Sequence, residues 1–233
     1  MMQTSRKVRR FTAAIAATTL VLGFLPLFSG NQHASAADGQ TLFTNQTPTT
    51  VNNTDGTNVN YELGMRFQPA VNGQITAIRF WKSSKETGTH TGRIWNASGT
   101  QLASVVFSGE TASGWQEQAL ATPLSVSANA EYTVSVNTGK TYYADTVNGL
   151  ASKITNGDLS SVAGDNGRFG SPGTYPTTSW QNSNYFRDVR FAAAAAAAPA
   201  INSFSISPQS LTAGQSATLS WSVTGAPAPS ISI

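Results

Sequence analysis

Short apolar runs with a two-residue period, each closed by Gly, Ser, Thr or Asn, leave this chain few choices of fold. In residues 73–115 (GQITAIRFWKSSKETGTHTGRIWNASGTQLASVVFSGETASGW) apolar and polar side chains alternate between turn-rich pieces. Upstream, Tyr61, Leu63, Met65 and Phe67 fall opposite Glu62 and Arg66. Thr76, Ile78 and Phe80 alternate with Ala77, Arg79 and Trp81, and Tyr132, Val134 and Val136 alternate with Thr133, Ser135 and Asn137. Successive side chains of a strand point to opposite faces, so each run reads as a half-buried strand. Further strands are expected over 92–95, 102–107, 115–120 and 186–191. The mature module shows no sustained helical period. The expected fold is all-β, an antiparallel β-sandwich of the jelly-roll kind over residues 37–191.

Residues 1–36 read as a secretory signal peptide. Arg6, Lys7, Arg9 and Arg10 form a basic n-region, residues 11–28 an apolar h-region and Ala34-Ser35-Ala36 a small-residue cleavage site. The h-region approaches the roughly 17-residue minimum of a spanning helix. Thr18, Thr19, Gly23, Pro26 and the A-x-A site favour cleavage over retention as an anchor. A secreted or cell-surface protein is expected, with no membrane association after cleavage. Four of the fourteen Lys and Arg residues lie in this leader while all eleven Asp and Glu follow it, so the mature balance is ten against eleven. That near-neutral balance gives no electrostatic reason to expect nucleic acid as a partner. Arg66, Arg79, Lys82 and Lys85 are expected at solvated strand and loop positions. The chain has no cysteine, which excludes disulfides and thiolate chemistry and leaves stability to packing.

Residues 139–185 depart from the alternation: they hold seven of the twenty glycines, two prolines and several aromatics. A structureless segment of that length is uncommon inside a domain, so a short strand near 142–145 and a capping or ligand-binding excursion are expected. Residues 192–200, largely alanine, read as a linker. Phe204 and Ile206, then Ala213-Gly214-Gln215, then Leu219-Ser220-Trp221, resemble a strand, a turn and a Trp-bearing strand of a bacterial immunoglobulin-like domain. Such a sandwich needs roughly 100 residues, so 201–233 is expected to be a truncated immunoglobulin-like domain with exposed strand edges.

His90 is the mature chain's one histidine and no G-x-S-x-G elbow occurs, so His90 is expected to be a turn residue bonded to neighbouring backbone. Glu110 and Glu117 flank the SGW turn and form the carboxylate pair a glycosidase would need. Solvated rim carboxylates are the competing and favoured reading, and no catalytic residue is assigned. Hard oxygen donors suit structural calcium. Asp158 and Asp165, with Asn166, form one candidate ligand set, and Glu62 with Asp188 another. Cross-strand ion pairs are the alternative for all of these acids. For ligand binding, sugar rings stack their apolar faces on exposed aromatics, which selects Trp81, Tyr142, Tyr143, Tyr175 and Trp180 as candidates, with Tyr185 nearby. Trp95 and Trp115 are expected to be packing anchors.

The runs G-Q-I-T-A-I-R-F, T-G-T-H-T-G-R-I-W and E-T-A-S-G-W-Q, with TLFTNQTP and Y-E-L-G-M-R-F before them and N-Y-F-R-D-V-R-F after, resemble a bacterial family, domain of unknown function 4082, over residues 41–191. The resemblance implies a non-catalytic accessory module of a secreted or surface multidomain protein, beside immunoglobulin-like repeats. Carbohydrate, as polysaccharide or surface glycan, is the expected partner together with other domains of a longer parent chain. A structural spacer or adhesin module is the alternative, and a hydrolase the third.

Overall fold

The computed structural model describes residues 6–10, 39–195 and 200–225. The expected h-region, the Ala34-Ser35-Ala36 site and part of the alanine run lie outside the described residues. The chain divides into two units, one made of residues 36–194 and the other of residues 1–35 with 195–233. In the second unit, strands β15 (Ala200–Ser207) and β16 (Thr218–Thr224) form an antiparallel hairpin pairing Phe204 with Trp221, and β1 (Arg6–Arg10) pairs with the other edge of β16. Every residue of β15 is exposed. Ala200 opens β15, and Ala192 and Ala193 end the last strand of the first unit.

The first unit is an antiparallel β-sandwich. One sheet runs β11 (Leu159–Ser161), β3 (Glu62–Pro69), β8 (Tyr132–Asn137), β5 (Thr91–Asn96) and β6 (Gln101–Val106), with β10 (Thr155–Asn156) outside β11. The other is β14 (Arg187–Ala193), β4 (Gly73–Lys82) and β7 (Gly114–Val126). Pairs β3 with β8, β4 with β7 and β5 with β6 are nested and alternate between the sheets, which is the wrap of a jelly roll. Met65 and Phe67, Val134 and Val136, and Ile94 from the first sheet meet Ile78, Phe80, Val189 and Phe191 from the second, all buried. The two-residue period thus does what the sequence predicts, with one change of phase. A β-bulge between Ile75 and Ala77 in the pairing with β7 turns Ile75 into the core and leaves Thr76 half-exposed.

Residues 139–185 are more regular than a loop. Besides β10 and β11 they contain β9 (Tyr143–Asp145), β12 (Arg168–Gly170) and β13 (Thr178–Ser179), and β9 pairs with β2 (Thr50–Asn53). Both β11 and β12 pair with the same edge of β3, β11 over Phe67 to Pro69 and β12 over Glu62 to Gly64. Between them the Asn166 side chain supplements the backbone at Arg66, whose C=O also accepts Val162 N–H at 3.0 Å. Its Oδ1 accepts Arg66 N–H at 2.8 Å and its Nδ2 donates to Arg66 C=O at 3.0 Å and Val162 C=O at 2.8 Å. A fully buried amide thus completes a ladder that would otherwise leave an edge open. Asn166→Ala is expected to cost about 2 kcal/mol in urea denaturation, because the part-buried Arg66 N–H and Val162 C=O lose this partner. A loss below about 0.5 kcal/mol would mean that water replaces the amide.

Candidate functional site

At the end of the sandwich where β3 and β14 begin, β2 is fastened to β9 with Thr50 opposite Asp145 and Asn53 opposite Tyr143. Asn53, Asp55 in the following turn, Tyr61 just before β3, Tyr143, Phe169 from β12, Trp180 after β13 and Tyr185 before β14 line a cleft of about 300 Å³. That volume lies at the small end of ligand sites and suits a single sugar-sized unit. Tyr61 stands edge-on to Tyr143 (85°) and to Phe169 (81°), and Tyr143 edge-on to Tyr185 (77°). The rings therefore form walls at right angles. Tyr143 and Tyr185 are the buried floor at 6% and 5% exposure, and Trp180 is the lip at 48%.

The lip is held, since Ser183 N–H donates to Trp180 C=O at 3.0 Å, Asn148 N–H to Gln181 C=O and Leu150 N–H to Asn182 C=O. Gln181 and Asn182 take up left-handed φ values of 48° and 47°, which the turn imposes and these backbone bonds retain. Tyr143 Oη donates to Asp55 Oδ2 at 2.8 Å, and Asn53 Nδ2 donates to Asp145 Oδ1 at 3.0 Å. Burial first, and the adjoining Asp55 second, push the Tyr143 phenol well above its ordinary range. Burial with Asp145 and Asp55 does the same for Tyr185. These phenols stay neutral donors. Burial also raises the Asp145 carboxyl, against the hydrogen bond from Asn53.

Of the five aromatics selected from sequence, Tyr143 and Trp180 line this cleft and three do not. Trp81 packs edge-on against Trp115 and Phe186, Tyr175 lies on Trp95, and Tyr142 is half-buried with Lys85 Nζ 5.4 Å from its ring centre. The metal candidates are not brought together. Glu62 is in one sheet, bonded to Arg93 and Ser135, while Asp188 is in the other, accepting the Leu42 and Phe43 N–H groups at 3.1 Å. Burial pushes the Asp188 carboxyl up to about 6 against the pull of Arg79 and those backbone donors. Asp158 accepts from Gln40, and Asp165 from Arg168. Among the described residues no group of three or more His, Cys, Asp or Glu side chains is placed to hold a metal ion.

His90 does lie in the turn segment between β4 and β5, and Glu117 is exposed, but the histidine's ring partner is a carboxylate rather than backbone. His90 is fully buried with Nδ1 2.7 Å from Glu110 Oε1, and Glu110 is ion-paired to Lys82 at 2.7 Å. Glu117 pairs with Arg190 and Arg79. Glu110 and Glu117 therefore each face cations rather than one another. Sequence reading passed over Asn53, Asp55 and Phe169 as lining residues and placed Tyr61 on a strand face. The available signal was the turn-rich N-N-T-D-G stretch at 52–56, directly ahead of an aromatic strand end.

No curated protein and no solved structure matches the chain. The family described as domain of unknown function DUF4082 matches residues 45–187, a span that takes in all seven residues of the cleft, and the chain belongs to that family.

Proposed function

We propose that this chain is a non-catalytic module of a secreted or cell-surface protein, and that it binds carbohydrate in the cleft between Trp180 and the Tyr143–Asp55 pair. The observation that carries the reading is the half-exposed Trp180 at the mouth of a cleft floored by neutral phenols. An exposed indole offers a flat apolar face for a pyranose ring, and Asn53, Asp55 and Tyr143 offer donors and acceptors for its hydroxyls. The ion pairs made by Glu110 and Glu117 favour this over a hydrolase. The strand pairing of Phe204 with Trp221 is in keeping with an immunoglobulin-like neighbour of the module. The leader-like residues 1–36 support export.

Polysaccharide pull-down and affinity electrophoresis test the reading. Trp180→Ala is expected to lower retention on the bound polymer at least tenfold, as loss of a stacking aromatic does at other recognition sites. It should leave the melting temperature within about 2 °C, because the side chain is half in solvent. Retention unchanged in Trp180→Ala would move binding away from this cleft. No retention of the wild type on any polymer would favour the spacer role.

A further inference from the structure

The seven lining residues include five aromatic rings and one exposed carboxylate, and no lysine or arginine. Aromatic faces carry negative potential and attract cations, most strongly when several rings surround one charge. Here Tyr61 meets Tyr143 and Phe169, and Tyr143 meets Tyr185, edge to face at 77–85°, so the rings form angled walls, a box rather than a flat platform. Asp55 accepts from Tyr143 through Oδ2 at 2.8 Å and also interacts with the Tyr61 hydroxyl, which places its negative charge against two of the rings. A neutral sugar would gain from one flat face. A right-angled box with a carboxylate on its wall matches a compact positive group.

From this arrangement we propose that the cleft recognises an organic ammonium group, carried by an amino sugar or by a quaternary amine, with Asp55 as the counter-charge and Trp180 as the closing ring. The proposal takes the location of the carbohydrate reading and names the chemistry selected there. Asp55 is exposed, so changing it leaves the folded protein available for measurement.

Calorimetric titration of the full chain with a glucosamine oligomer, its N-acetylated counterpart, a neutral glucose oligomer and tetramethylammonium separates the outcomes. The glucosamine oligomer is expected to bind about tenfold or more tightly than the N-acetylated one, and Asp55→Asn to abolish that preference, because a charge-assisted contact is lost. Preference for tetramethylammonium with no oligosaccharide bound would support the ammonium site and overturn the carbohydrate reading. Equal binding of charged and neutral oligomers, unchanged in Asp55→Asn, would overturn the ammonium proposal and leave the carbohydrate reading standing. Absence of binding to all four probes would overturn both.

Discussion

Glu62→Ala is expected to destabilise the sandwich unit by about 3–5 kcal/mol, because it removes the centre of a buried polar network. Glu62 is fully buried, although it sits on the face of β3 that points away from the core. Its carboxylate accepts from Arg93 Nη1 at 2.9 Å, from Ser135 Oγ at 2.6 Å and from Gly173 N–H at 2.9 Å. Trp95 Nε1 donates in turn to Ser135 Oγ at 2.8 Å, and Tyr175 lies on Trp95. One side chain thus ties β3, β8 and β5 to the 171–176 turn that covers them. Truncation strands an arginine and a backbone N–H under that cover, which costs more than the pair itself is worth. Urea denaturation measures the loss. Glu62→Gln should cost about half as much, since it keeps the shape and part of the hydrogen bonding. Glu117→Ala, which breaks the exposed pair with Arg190, should cost under about 1 kcal/mol. Similar losses for Glu62→Ala and Glu117→Ala would show that water reaches Glu62 and that the turn is a loose cover.

The strands were legible because alternation is a local property. Tyr132, Val134 and Val136 could face the core in no other register without turning all three to the opposite face of the sheet. What lies over a sheet's outer face is set by distant chain, and there the sequence misleads. Arg66, Arg79 and Lys82 read as solvated, yet their side chains are no more than 18% exposed, and Glu62, on the polar phase of its strand, is covered altogether. Asn166 resembles a metal ligand because its sequence neighbours are Asp165 and Gly167, whereas two of its side-chain bonds reach Arg66, 100 residues away. The cleft was half legible for the same reason. Tyr143 and Trp180 stand out as aromatics in an irregular segment. Asn53 and Asp55 become lining residues through the long-range pairing of β2 with β9, which no short-range pattern encodes.

Arg187→Met should be the other severe change, with an expected loss of about 3–5 kcal/mol and an altered pH dependence. The Arg187 guanidinium is fully buried beside the Phe80 ring, donates to Tyr185 C=O at 2.6 Å and stands 3.7 Å from Glu86 Oε1. That same oxygen faces His90 Nε2 at 3.6 Å, and neither atom has a hydrogen-bond partner among the described residues. Glu86 Oε1 therefore lies between the Arg187 guanidinium and the His90 imidazole. Removing Arg187 leaves it to His90. Burial disfavours the imidazolium, but Glu86 and Glu110 outweigh burial and raise the His90 pKa above its ordinary value. A raised folded-state pKa means that the stabilising contribution is complete below the unfolded value of about 6.5 and is lost as pH rises through the folded value. Stability from this group should thus decline on the alkaline side of about pH 6.5, and the decline should steepen in Arg187→Met, where Glu86 has lost its permanent counter-charge. His90→Gln should flatten it. Arg187→Met combined with Glu86→Gln should recover part of the loss, since the anion and its missing partner disappear together. Urea denaturation at pH 6 and pH 8.5 reads each of these differences. A double variant no more stable than Arg187→Met alone would assign the cost to the lost bonds to Tyr185 C=O and, at 3.4 Å, to Val136 C=O rather than to the stranded carboxylate.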